Sequence, residues 1–220
     1  MTRDEIAGAK MQVRRSVSAA LANLGPERRR SAAVALARCL AGLGCVRRAR
    51  TLMAFLSLPT EIDTWPLIRW AWGEGKRVAV PRIEPPLTET DRALGGREIV
   101  PVLLERADVP AAAEHPAVRP GAMGILEVPD ATPLAVAELD VVLVPCQALD
   151  HRGNRLGKGG GFYDRFLARA DLRADLVAVA FREQILDEVP VTENDRPVPT
   201  IVTDAGIVTI EATGGGCRPV

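Results

Sequence analysis

The chain is short of histidine, of paired cysteines and of net charge, and each shortage narrows what it can do. Two histidines occur in 220 residues, and Cys39, Cys45, Cys146 and Cys217 show no CxxC spacing. That argues against a zinc site and for a reduced, cytoplasmic protein. Lys plus Arg and Asp plus Glu balance at 28 each, whereas a general nucleic-acid-binding domain is usually basic. No apolar run approaches the roughly 20 residues of a membrane helix. The charged start Met1-Thr2-Arg3-Asp4-Glu5 lacks the apolar core of a signal peptide. There is no Walker A loop, and the third glycine of a GxGxxG fingerprint is missing. His151 has no serine or cysteine at a recognisable elbow and reads as loop surface. Cys146, at a strand end without a paired base, reads as a small buried hydrophobe.

What the chain does have is a strand, a glycine loop and a helix start between Asp140 and Leu167. Val141 to Val144 is a continuous apolar run ended by Pro145, which suits a buried strand. A polar loop follows from Asp150 to Arg155, with Asp150 as a loop hydrogen-bonder. Gly157, Lys158, Gly159, Gly160 and Gly161 come next, and Phe162 to Leu167 opens a helix. Glycines admit close backbone approach, and loop N–H groups with a helix N-terminus attract an anion. Lys158, Arg155 and Arg152 add charge and forked donors. The stretch therefore reads as a phosphate nest, against the blander alternative of a flexible loop. Asp164 either caps the helix or holds Mg²⁺ beside a phosphate, with Asp195 as a candidate second carboxylate.

The rest of the chain supplies an α/β frame. Thr2 and Glu5 have capping-box spacing, and Val13, Val17, Leu21 and Leu24 recur at helical intervals, so a helix is predicted over 2–24. Lys10 and Arg14 project from one face of it, either as a solvated basic edge or as cations reaching a phosphate. A second helix is predicted over 27–43, with Val34, Leu36, Leu40 and Leu43 inward and Gly44 closing it. Residues 51–56 read as a buried strand. Glu61 follows beyond its carboxyl end, where open α/β sheets bind ligands. It is either a helix-entry acid or an acceptor for ligand N–H groups. Thr64 opens a helix over 65–72, whose three tryptophans read as core and interface rather than an aromatic wall. The strand over 77–81 completes a βαβ unit, so a parallel sheet is implied. Residues 97–104 suit an edge strand, 108–120 a mobile loop and 124–129 an ordered turn. Strands are predicted over 176–181, 201–203 and 207–210. The chain reads as one domain over 1–212 with a disordered tail over 213–220.

Arg155 to Leu167, RLGKGGGFYDRFL, resembles the signature of the 5-formyltetrahydrofolate cyclo-ligase family. Lys10 and Arg14 resemble its KxxxR. Phe55-Leu56-Ser57 with Glu61-Ile62-Asp63-Thr64, Gly75-Lys76 with Val80-Pro81, and Gly124 to Pro129 resemble further family segments in order. So do Asp140 to Pro145, and Gln184, Pro190, Glu193 and Asp195. The chain departs in having Phe162 where the family has Tyr, no methionine-containing segment after Val80-Pro81, and an extended 106–123.

The resemblance implies a three-layer α/β/α sandwich with a mostly parallel sheet, of the NagB/RpiA/CoA-transferase type. It implies ATP- and Mg²⁺-dependent cyclisation of 5-formyltetrahydrofolate to 5,10-methenyltetrahydrofolate, with release of ADP and phosphate. Residue by residue, it implies that Lys10, Arg14 and Arg155 to Tyr163 (with Leu156, Gly157, Gly159, Gly160, Gly161 and Phe162) bind ATP. Lys158 and Arg155 would offset charge developing during transfer, and Tyr163 would stack or hydrogen-bond near the folate. Leu56, Glu61, Lys158, Gly159, Gly160, Gly161 and Phe162 would contact the folate, and Asp164 and Asp195 would hold Mg²⁺. The expected partner is a small folate, polyglutamylated or not, with no nucleic acid and no membrane, and the chain is expected to be a monomer. Two other readings suit the same loop: an ATP-dependent ligase or kinase on another small heterocycle, and a non-catalytic nucleotide- or folate-binding regulator.

Overall fold

Helix α1 (Arg3–Ala22) starts at the expected capping box. Glu5 N–H donates to Thr2 Oγ1 at 3.3 Å, and Thr2 N–H donates to Glu5 Oε2 at 2.7 Å. The computed structural model describes residues 2–85, 97–107, 114–121, 124–193 and 195–210. The predicted tail and part of the 108–120 loop lie outside the described residues. The other helices are α2 (Pro26–Gly42), α3 (Gly44–Arg48), α4 (Trp65–Gly73) and α5 (Phe162–Leu167). The strands in chain order are β1 (Thr51–Met53), β2 (Arg77–Glu84), β3 (Glu98–Leu103), β4 (Arg119–Pro120), β5 (Leu126–Glu127) and β6 (Val141–Pro145). They continue with β7 (Ala148–Asp150), β8 (Arg155–Leu156), β9 (Asp175–Ala180), β10 (Ile185–Leu186), β11 (Thr200–Thr203) and β12 (Gly206–Val208).

Seven strands form the main sheet in the order β12-β11-β9-β6-β1-β2-β3. The five inner strands are mutually parallel, and β3 and β12 close the edges antiparallel. The middles of the inner strands are buried and mostly apolar because both sheet faces are covered. Side chains alternate between faces. Val141 and Leu143 of β6 and Val177 and Val179 of β9 pack with Leu21, Leu36, Leu40, Trp65 and Ile68 of the first helices. Val142, Val144, Ala178 and Ala180 pack on the other face with Phe166 of α5 and Val136. These are the three layers that the resemblance implies.

From β1 the chain moves through α4 to β2 on one side, and from β6 it moves through α5 to β9 on the other. The sheet thus changes direction between neighbouring β1 and β6, and such a switch point opens a crevice at the strands' carboxyl ends. Gln184 fixes the far side of that crevice. Its amide donates to Cys146 O at 2.9 Å and Gln147 O at 3.0 Å, and its oxygen accepts from Phe181 N–H at 2.8 Å.

Some expectations need correction. Val34 points outward, at 44% exposure, because Ala33, Leu36, Ala37 and Leu40 occupy the inner stripe of α2. Gly44 does not end the helical run. The extended Leu43 (ψ 130°) separates α2 from α3, which starts at Gly44. β1 ends at Met53, although Ala54 N–H still bonds Ala79 O at 2.9 Å. Trp65 and Trp72 are core, as read: they meet edge to face at 5.5 Å, with His115 beside both. Trp65→Ala should therefore cost about 3–5 kcal/mol of stability. The check is a urea midpoint shifted at unchanged m-value.

Candidate active site

A cavity of about 650 Å³ lies over the switch point. Its first wall is the turn after β1. Ser57 Oγ donates to Ile62 O at 2.8 Å, Thr64 Oγ1 donates to Phe55 O at 2.6 Å, and Thr64 N–H donates to Ser57 Oγ at 3.0 Å. The braced turn aims Glu61 into the cavity. Leu58 N–H holds Glu61 Oε2 at 2.9 Å, and Lys158 Nζ approaches Oε1 at 2.8 Å. Thr64 thus serves the turn with its hydroxyl instead of capping α4.

The second wall is the β7–β8 hairpin and the glycine loop. Asp150 is fully buried and accepts from Arg152 N–H, Asn154 N–H, Asn154 Nδ2 and Val189 N–H at 2.9–3.1 Å. This carboxylate closes the hairpin, as a loop hydrogen-bonder should. Arg155 then enters the interior, and its buried guanidinium pairs with Asp164 Oδ1. Gly159 (φ 105°) and Gly161 (φ 64°) occupy the region that disfavours side chains. At Gly160 the constraint is contact: a Cβ there would lie 2.6 Å from Phe162 Cε2.

The third wall is α1. Lys10 Nζ meets Asp195 Oδ2 at 2.5 Å, and Arg14 Nε donates to Gly157 O at 2.9 Å. Thr192 adds N–H and Oγ1 donors to the same Asp195 oxygen at 2.5 and 2.9 Å. Burial pushes the Asp195 carboxyl up, but the bonds from Lys10 and Thr192 outweigh it and hold the group below the usual carboxylate range. The fourth wall is apolar: Pro81, Ile83, Ile99, Ile125 and Phe162. Two groups stand at the back. Burial pushes the Cys146 thiol up to about 12, so it stays protonated and acts as a small hydrophobe. The hydroxyl of Tyr163, the only tyrosine in the chain, is buried with no hydrogen-bond partner among the described residues. Burial, and then nearby Glu61, push this phenol well above its usual range, with Arg155 opposing.

The structure brings Lys10, Arg14, Leu56, Glu61, Arg155 to Asp164 and Asp195 onto one cavity. Arg152 does not join them. It is exposed, 4.0 Å from Glu188, so it gives the loop no support. The predicted helix N-terminus is also weaker than its sequence suggests, because α5 has only six residues. Loop N–H groups and cationic side chains dominate over so short a helix dipole. Sequence reasoning missed the apolar wall apart from Phe162, and also Leu58, Arg165 and Arg196. The Ile83–Ile99 pairing across β2 and β3 leaves no local mark in the sequence. Arg165, four residues after Gly161 on a helix, had that spacing as its signal.

Residues 6–204 match the model of the 5-formyltetrahydrofolate cyclo-ligase family. The 5-formyltetrahydrofolate cyclo-ligase of Escherichia coli K12 is 34% identical over 160 residues, covering 72% of this chain and 80% of that protein. The mouse cyclo-ligase is 27% identical over 200 residues, covering 88% and 93%. The solved structure of Aquifex aeolicus 5,10-methenyltetrahydrofolate synthetase has the same fold, with a TM-score of 0.73 over 95% of this chain and 96% of that one, at 24% identity. With its glycine loop, α1 cations and Glu61 turn on one crevice, the chain belongs to the 5-formyltetrahydrofolate cyclo-ligase family.

Proposed function

We propose that the cavity cyclises 5-formyltetrahydrofolate to 5,10-methenyltetrahydrofolate at the expense of ATP, releasing ADP and phosphate. The observation that carries this reading is the 2.8 Å pair between Lys158 and Glu61. It sets a cationic glycine loop against a fixed carboxylate across one crevice. Such a pair suits two ligands: phosphate on the lysine side, and a heterocycle with N–H donors on the glutamate side.

A formamide oxygen is a weak nucleophile and a poor leaving group. In the proposed reaction it attacks the terminal phosphorus of ATP, and the bond to ADP breaks. N10 of the folate then attacks the activated formyl carbon, loses its proton, and expels phosphate with the former formyl oxygen. Transfer of this kind needs positioning and charge neutralisation more than a side-chain nucleophile. Lys10, Arg14 and the loop N–H groups would hold the triphosphate. Lys158 would exchange Glu61 for the transferring phosphoryl group, while Leu56 and the apolar wall would pack the ring system and Glu61 would accept its N–H groups. Arg155 would act from behind, holding Asp164 in place. Tyr163, kept neutral by burial, would donate a hydrogen bond to a ligand oxygen.

Asp164 and Asp195 suit Mg²⁺. Each keeps one carboxylate oxygen without a hydrogen bond among the described residues, since Arg155, Lys10 and Thr192 occupy only Oδ1 of Asp164 and Oδ2 of Asp195. Among the described residues there is no cluster of three or more acidic, His or Cys ligands. The ion would thus take its remaining ligands from phosphate and water, as Mg²⁺ commonly does. When bound, it neutralises phosphate charge.

The deciding assay mixes protein, Mg-ATP and 5-formyltetrahydrofolate and follows methenyl absorbance and ADP. Both should rise together. ADP formed only with another heterocycle, or tight binding without turnover, would favour the two alternative readings. Lys158→Ala should lower kcat/KM for ATP by roughly 10²–10³-fold. Because the Lys158 side chain is 46% exposed, stability should change by less than about 1 kcal/mol. A collapsed melting temperature would mean the lysine is structural. Tyr163 gives a pH test. Its folded pKa is raised, so its stability contribution is present below the unfolded value near about 10 and is lost as pH rises above it. Absorbance near 295 nm should therefore show no tyrosinate until the protein unfolds, and ionisation of folded protein near the ordinary phenol value would refute the buried hydroxyl.

A further inference from the structure

Arg165 has no part in the reaction above, yet it lines the cavity and grips the glycine loop. Its Nη2 donates to Gly160 O at 3.3 Å and to Arg97 O at 3.0 Å. Its guanidinium lies over the Phe162 ring, 5.3 Å from the centroid. The same ring presses on Gly160, and a Cβ on Gly161 would lie 2.9 Å from Arg165 Nη1. The arginine is therefore seated against the loop backbone, with its Nε buried.

We propose that Arg165 is a positioning residue that sets the direction of the Gly160–Gly161 peptide, turning the Gly161 N–H toward bound phosphate. A trans peptide is planar, so its N–H points opposite to its C=O. By drawing the Gly160 carbonyl to itself, Arg165 turns the Gly161 N–H the other way. Arg14 does the same at the other end of the loop, where it takes the Gly157 carbonyl at 2.9 Å and so directs the Lys158 N–H. A carbonyl turned into the cavity would repel phosphate oxygens, whereas an N–H attracts them. With glycine at 157, 159, 160 and 161 the backbone has many alternative conformations, and each flipped peptide would exchange an attractive dipole for a repulsive one. Lysine does not replace this arginine fully, since its ammonium lacks the rigid planar guanidinium that lies over the Phe162 ring.

The proposal rests on reading the cavity as a nucleotide site, and the test separates the two. Arg165→Gln and Arg165→Lys are compared with wild type by steady-state kinetics, thermal melting, and ADP titration of ¹⁵N-glycine-labelled protein. Arg165→Gln should lower kcat/KM for ATP by roughly 10- to 100-fold, leave KM for the folate unchanged, and shift the melting temperature only slightly. Arg165→Lys should recover part of the loss. The Gly161 amide resonance should move on ADP addition in wild type and move less in Arg165→Gln. Wild-type ATP kinetics and an unchanged Gly161 response in Arg165→Gln would overturn the Arg165 role alone. An equal loss for both substrates together with a fallen melting temperature would make the arginine merely structural and overturn it too. Failure of any wild-type glycine amide to respond to ADP would overturn the nucleotide reading and this proposal with it.

Discussion

The site depends first on the parting of two neighbouring parallel strands. β1 and β6 are hydrogen-bonded to each other, but the chain leaves them in opposite directions. Among the described residues, no crossover helix covers the gap at their carboxyl ends. Everything proposed for the chemistry hangs from that gap. The Ser57–Thr64 turn leaves β1, the β7–β8 hairpin and glycine loop leave β6, and Gln184 ties β9 to the end of β6. The central strands β1, β6 and β9 are buried and largely apolar, and their alternate residues bind one helical layer to the other.

Charge is distributed over this frame in pairs of unequal burial. Arg155 is 2% exposed at the side chain and pairs with Asp164. Removing one partner of so buried a pair strands the other, at a cost of about 3–5 kcal/mol. Lys10 and Asp195 are intermediate, at 14% and 17%. Lys158, at 46%, holds Glu61 from a long and solvated stem, and an exposed pair of this kind contributes only about 0–1 kcal/mol. The gradient separates scaffold from mobile charge. Arg155 cannot leave Asp164 cheaply, whereas Lys158 can exchange Glu61 for a ligand at little expense. In the proposed reaction the cation that follows the moving phosphoryl group is therefore the one the fold restrains least.

Much of this was legible from sequence because it is local. Capping at Thr2 and Glu5, the apolar run of β6, and the glycine run around Lys158 are patterns within a few residues. The resemblance joined Lys10, Glu61 and Asp195 to that run, although they are far from it in the chain. What could not be read is pairing. Nothing near Arg155 says that its guanidinium is buried rather than offered to a ligand, because its partner Asp164 also suits helix capping or a metal. Val34 was misplaced because four small or apolar neighbours compete for one helical stripe. The apolar wall was missed because it is assembled from β2, β3 and Ile125, which meet only in the folded sheet.

The glycine loop shows why such a site needs cations that hold the loop backbone as well as cations that meet a ligand. A long helix could offer its aligned N-terminal N–H groups without help, but α5 has six residues and its N-cap, Gly161, brings no side-chain acceptor. The loop must present its own N–H groups instead, and glycine leaves them poorly oriented. Glycine is nevertheless required, by positive φ at 159 and 161 and by the Phe162 ring against 160. Flexibility that sterics demand has to be removed by contacts from outside the loop. Arg14 and Arg165 supply those contacts from opposite ends, each on a carbonyl. The loop is thus held by the oxygens that would repel phosphate, which leaves its N–H groups for the ligand.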